Sequence, residues 1–224
     1  MEYVFECTGE AISRIGKINK ILLSRVYERM ESKDESNDLF IKQSIIYLVT
    51  QFQVFVETIL KDFKEKIIDS NISFSQLPEC LRFPTIKDRL IKKDWNKFDF
   101  SGYNKMKREL GPIPQILLAP ESIYVNQSNF KFSTSFPLGK TGKMELFKLL
   151  EQIRGADTFF QNFTEDSDLM GLDSLLTARV QCVHYDNRGS QLKADVKRHV
   201  NFVVGLVNYI DRELGIELAK IIVI

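Results

Sequence analysis

Within ten positions the chain gathers Arg179, His184, Tyr185, Asp186, Asn187 and Arg188, a denser set of chemical groups than any other segment holds. Histidine titrates near neutral pH and can both take and give a proton. Arginine stays charged and grips phosphate oxygens in a bidentate fork, steadying the extra negative charge of a phosphoryl transition state. Cutting an RNA strand without a metal needs a base for the ribose 2′-hydroxyl, a cation on the phosphate and an acid for the leaving 5′-oxygen. Arg179 and His184 are sufficient types for that reaction. Tyr185, Asn187 and Arg188 could orient the phosphate or stack on a base, with Asp186 in the same substrate-facing turn. Gln181 and Cys182 read as packing or polar surface. On an ideal helix, a step of five residues sets the pair about 140° apart with roughly 7.5 Å of rise, so they share one substrate only in a cleft. A plainer reading stays open, in which His184 complements a helix C-terminus and Arg179 is a surface charge.

These residues need helices to hold them. Leu172, Leu176, Val180 and Val183 recur at helical spacing, and beyond the break at Gly189 so do Leu192, Val196, Val200, Val203, Val207, Ile210 and Leu214. Two helices with a buried side each therefore meet at a polar corner. Upstream, Ile15, Ile18, Leu22 and Val26 make an amphipathic helix of about Glu10 to Met30, with a basic outer side. The polar run Ser32 to Asp38 reads as a solvated connection, with Asn37 or Asp38 placed to cap the next helix. That helix, Leu39 to Asp69, carries Ile41, Ile45, Leu48, Phe52, Phe55, Ile59, Phe63 and Ile67 on one face, widened by Ile46, Val49, Val54 and Val56. Apolar around most of its girth, it is expected at the centre of a bundle.

Between Ser70 and Gly155 the pattern is choppier. Thr85 with Asp88 suggests a capping box for a short helix to about Trp95, and Ser101 could open another ending at Leu110. From Pro112 to Gly142 alternating Ile123, Val125, Phe130 and Phe132 fit either a long loop or a small hairpin. Lys143 to Arg154 reads as a helix through Leu146, Leu150 and Ile153. The Pro137 to Lys143 run resembles a phosphate loop only in part, since its first glycine position is Thr134; it reads as a turn. His199 borders the apolar stripe of the last helix and reads as a partly buried core histidine.

Bulk composition narrows the classes. At 224 residues, with 44% hydrophobic and 27% charged residues, the chain is expected to form one globular domain. A formal charge of +1 names no partner, yet Arg82 to Arg108 holds nine Lys or Arg against three Asp. With Trp95, Phe98, Phe100 and Tyr103 interleaved, that run is either a solvated face or a guide for single-stranded RNA. Three scattered cysteines and two histidines suggest neither a disulfide framework nor a metal site, and no cofactor motif is present, so none is expected. The acidic N-terminal stretch lacks a secretory pattern, and Ile45 to Leu60 is interrupted by Thr50, Gln51, Gln53 and Glu57 short of a bilayer span. A cytoplasmic protein with no membrane partner is expected.

The segment Leu172 to Leu214 resembles the C-terminal part of HEPN domains, in which Arg-x4-6-His sits in a helical hairpin followed by a final amphipathic helix. Here the motif is Arg179-Val-Gln-Cys-Val-His184, and Ser44 to Phe63 is similar to the long second helix of the RiboL-PSP-HEPN subgroup. The resemblance implies an all-α bundle over residues 1–224 with a long central helix and a variable insertion of short helices and loops over 70–168. It also implies a homodimer with facing motifs and metal-independent endoribonuclease activity that leaves 2′,3′-cyclic phosphate ends. Many relatives are toxins or antiviral effectors, which implies an antitoxin or a neighbouring defence protein as partner. Three positions depart from the family's pattern: Val180 where a polar residue is common, Tyr185 where a small one often follows the histidine, and Asp186 where one toxin subgroup has a tyrosine. A different class stays open, a non-catalytic HEPN-like dimerisation or nucleic-acid-binding subunit, and Val180 points that way. A third reading is a plain helical scaffold.

Overall fold

The computed structural model describes residues 3–22, 24, 35–82, 119–137, 142–154, 159–163, 170–184 and 193–222. The chain is all-α: among the described residues every long element is a helix. We number them α1 (Glu6–Leu22), α2 (Glu35–Asp69), α3 (Gly142–Arg154), α4 (Met170–His184) and α5 (Lys193–Ile222).

Helix α2 is the axis, packed against α1, α4 and α5. Its expected stripe, Ile41 through Ile67, is buried throughout, together with Val49, Val56 and Leu60. Of the widening residues, Ile46 is half-buried and Val54 is 40% exposed, because they fall toward the solvent side of the helix. With 35 residues α2 is about 52 Å long. By length and composition it could cross a membrane, contrary to the expectation from Ile45 to Leu60 alone. In the fold that apolar surface lies against three neighbouring helices instead. The helix also begins earlier than expected, at Glu35. Asp38 is therefore no cap, and its carboxylate meets Lys42 Nζ one turn on at 3.0 Å. Asn71, at φ 52°, turns the chain out of the helix in the left-handed conformation that asparagine tolerates.

Helix α1 starts at Glu6, four residues ahead of the periodic pattern, because a distant group caps it. Asp211 of α5 accepts hydrogen bonds from Val4 N at 3.1 Å, Phe5 N at 3.0 Å and Thr8 Oγ1 at 2.7 Å. That buried carboxylate satisfies amides that a helix N-terminus otherwise leaves open.

The described part of the middle region forms no hairpin. A single antiparallel bridge joins Ser73 to Tyr124, with Phe74 N on Ile123 O and Val125 N on Ile72 O, both at 2.8 Å. From there 125–136 lies along α2 as a strap. Phe136 meets Phe52 edge-on at 6.0 Å, Phe132 lies 5.8 Å from Phe63, and Phe136 N donates to Glu57 Oε1 at 3.0 Å. Ile72, Phe74, Leu77, Leu81, Val125, Phe130, Phe132 and Phe136 join the same hydrophobic core as the helices. The helices expected after Thr85 and Ser101, and the basic run to Arg108, lie outside the described residues.

Candidate functional site

Helix α4 carries both motif residues. It is fixed against α2 through Leu172, Leu175, Leu176 and Ala178, and it touches α3 and α5 more lightly. At its start a Cβ on Gly171 would stand 2.6 Å from the Phe202 ring, so only glycine permits this approach to α5. Lys143 of α3 adds an ion pair to Asp173 at 3.1 Å. The helix is thus held from its first turns, and the motif lies in its last two.

That last turn differs from the expected stripe. Val180 is half-buried and Val183 is 50% exposed, while the buried positions are Leu172, Leu175, Leu176 and Ala178. Neither valine belongs to the core. Arg179 is half-buried and His184 is the last residue of the unbroken helix, so the pair keeps the five-residue helical step. The His184 side chain lies outside what the structure describes, as do Tyr185, Asp186, Asn187 and Arg188 in the segment before α5.

Sequence reasoning missed two neighbours. Burial pushes the Cys182 thiol up, while Lys42 draws it down and Asp38 pushes it up again. The i, i+4 spacing of Asp38 and Lys42 was readable as an ion pair; its effect on Cys182 was not, because only tertiary packing sets it. His199, by contrast, is where the periodicity puts it: 2% exposed on α5, its pKa lowered by burial and by Arg198, with Asp195 opposing. It is a core imidazole. Among the described residues, no group of three His, Cys, Asp or Glu is arranged to hold a metal ion.

The helical bundle and the Arg-x4-His step at the end of one of its helices define a protein of HEPN type. The chain belongs to the RiboL-PSP-HEPN family, whose family model matches residues 12–215. Neither the curated proteins nor the solved structures contain a match.

Proposed function

We propose that this chain is a metal-independent endoribonuclease, cutting RNA to 2′,3′-cyclic phosphate ends. His184 serves as general acid and base, and Arg179 clamps the phosphate. The observation that carries the reading is the position of both motif residues at the C-terminal end of one unbroken helix, α4, within a chain that belongs to the family. Five residues of helix set them about 140° apart with roughly 7.5 Å of rise, so a phosphodiester can meet both only where it is held in a cleft. Tyr185, Asp186, Asn187 and Arg188 follow directly in the chain and are assigned to substrate contact. A second copy of the chain would bring its own pair to the same cleft under two-fold symmetry. The proposed setting is the cytoplasm, as a toxin or antiviral effector restrained by an antitoxin or a neighbouring defence protein.

The test is cleavage of a mixed RNA pool in EDTA, with the product ends analysed. His184→Ala is expected to lower the rate about 10²–10⁴-fold. Arg179→Ala should lower it about 10²–10³-fold. Parent-like cutting by His184→Ala would defeat the assignment. Val180 favours a second reading, since an apolar, half-buried side chain follows the motif arginine. That reading is a non-catalytic dimerisation or nucleic-acid-binding subunit, and it takes over if the folded chain binds RNA without cutting it.

A further inference from the structure

Between α2 and the strap lies a cleft of about 330 Å³, lined by Val54, Glu57, Thr58 and Lys61 of the helix and Thr134 and Ser135 of the strap. This is the lower end of the range of small-molecule clefts, room for a single nucleotide. The strap is fixed on both sides of it. Ser133 N donates to Gln152 Oε1 at 3.0 Å and Phe136 N to Glu57 Oε1 at 3.0 Å, with the Phe136 ring buried against Phe52. Thr134 and Ser135 are held between those two ties, and among the described residues neither makes a hydrogen bond of its own. The half-buried Glu57 receives both of its described hydrogen bonds on Oε1, the second from Gln53 Nε2 at 3.4 Å, which leaves Oε2 for a donor on a ligand. Thr58 commits its hydroxyl proton to Val54 O at 2.7 Å and keeps its acceptor side. Val54 supplies an exposed apolar floor. Lys61 stands about 10.5 Å further along an ideal helix than Val54. Its ammonium is 3.9 Å from Glu65, and the side chain is 67% exposed.

A ligand that satisfies this set has a flat apolar face, donors on one edge and a negative charge at its far end. Guanine is the base whose pairing edge sets two donors side by side, N1–H and the 2-amino group. Adenine and cytosine place an acceptor beside their amino group, and uracil flanks its N3–H with two carbonyls, so each of them turns an acceptor toward a carboxylate. We infer that this cleft binds a guanine nucleotide, with the base edge on Glu57, the base over Val54, the ribose among the hydroxyls of Thr58, Thr134 and Ser135, and the phosphate on Lys61. Lysine serves there as a compact point charge. The nucleotide is either free or a guanosine within an RNA strand, since both present the same groups. Binding here needs neither Arg179 nor His184 and holds whether or not the chain cuts RNA.

The experiment titrates the nitrogen-15-labelled chain with GMP, AMP, CMP and UMP in turn, following the amide signals of Thr134, Ser135 and Phe136. GMP should shift them saturably, and the other three should bind about tenfold more weakly. Glu57→Gln keeps an acceptor for Phe136 N but not the carboxylate, and should weaken GMP about tenfold and erase the preference among bases. Lys61→Ala should weaken GMP about two- to fivefold and leave guanosine, which has no phosphate, unchanged. A fluorescein-labelled oligouridylate with one central guanosine, read by anisotropy on the chain carrying His184→Ala, separates the two sources. Binding tighter than that of GMP, and lost when uridine replaces the guanosine, assigns a strand; no gain over GMP assigns the free nucleotide. The inference is overturned if neither GMP nor the oligonucleotide moves these amides, or if all four nucleotides move them equally. A guanine preference that survives in Glu57→Gln with native circular dichroism would overturn it too, since the carboxylate would then not read the base.

Discussion

At the scale of single residues, the place of the motif on one helix was legible because it depends on spacing within that helix. Arg179 and His184 do lie on one unbroken helix. The environment of each position was less legible: Val180 and Val183 continue the apolar period of Leu172 and Leu176, yet lie outside the core. Periodicity reports a face, but not where along the helix that face stops being covered. His199 offers a titration with a definite sign. Its pKa is held below 6.5 by burial first and Arg198 second, so the folded state refuses a proton that the unfolded chain accepts. Above pH 6.5 both states are neutral there and the residue contributes no pH dependence. As the pH falls below that value, stability should be lost at up to about 1.4 kcal/mol per pH unit, until the folded form also protonates. Urea unfolding at pH 7.5 and about pH 5.5 should therefore show a smaller loss in His199→Gln than in the parent. Equal losses would mean that another group titrates.

Among the elements, the long amphipathic helices were readable and their ends were not. The burial of Ile41, Ile45, Leu48, Phe52, Phe55, Ile59, Phe63 and Ile67 follows directly from the period, and Lys143 to Arg154 matches α3 to within one residue. The start of α1 escaped because its cap is 203 residues away in sequence: Thr8 and the amides of Val4 and Phe5 are satisfied by Asp211. No local pattern announces such a partner. Asp211→Ala should accordingly cost about 3 kcal/mol, since it leaves two amides and a hydroxyl without their charged acceptor. Hydrogen exchange should rise at the amides of Val4 and Phe5 well before it rises in α2. Uniform protection in the variant would show that water replaces the carboxylate at little cost.

For the molecule as a whole, what the sequence could not convey is how the middle region is tied to the bundle. Those ties join segments far apart: Cys80 Sγ donates to Ile153 O at 2.9 Å, Glu57 accepts from the strap, and Arg154 reaches α5. Arg154 closes α3 against Glu213 at 2.7 Å and Glu217 at 3.1 Å, both carboxylates buried. It also donates to Phe159 O at 3.2 Å, beside Tyr209, which donates to the same oxygen. Burial alone would lower the guanidinium's pKa, but Glu213 and Glu217 raise it further than burial lowers it, so the arginine stays charged. Removing the cation, which lies over the Phe159 ring, leaves two buried anions without it. The cost of breaking a buried pair in this way is about 3–5 kcal/mol. Arg212 and Lys220, on Glu213 at 3.2 Å and Glu217 at 2.8 Å, offset part of it from the solvent side. Arg154→Ala is therefore expected near about 3 kcal/mol in urea unfolding. Replacing all three residues together, as Arg154→Met with Glu213→Leu and Glu217→Leu, should recover most of that loss, because no buried charge then lacks a partner. If Arg154→Ala matches the parent, the two outer cations alone neutralise the pair and α3 is held by its apolar face.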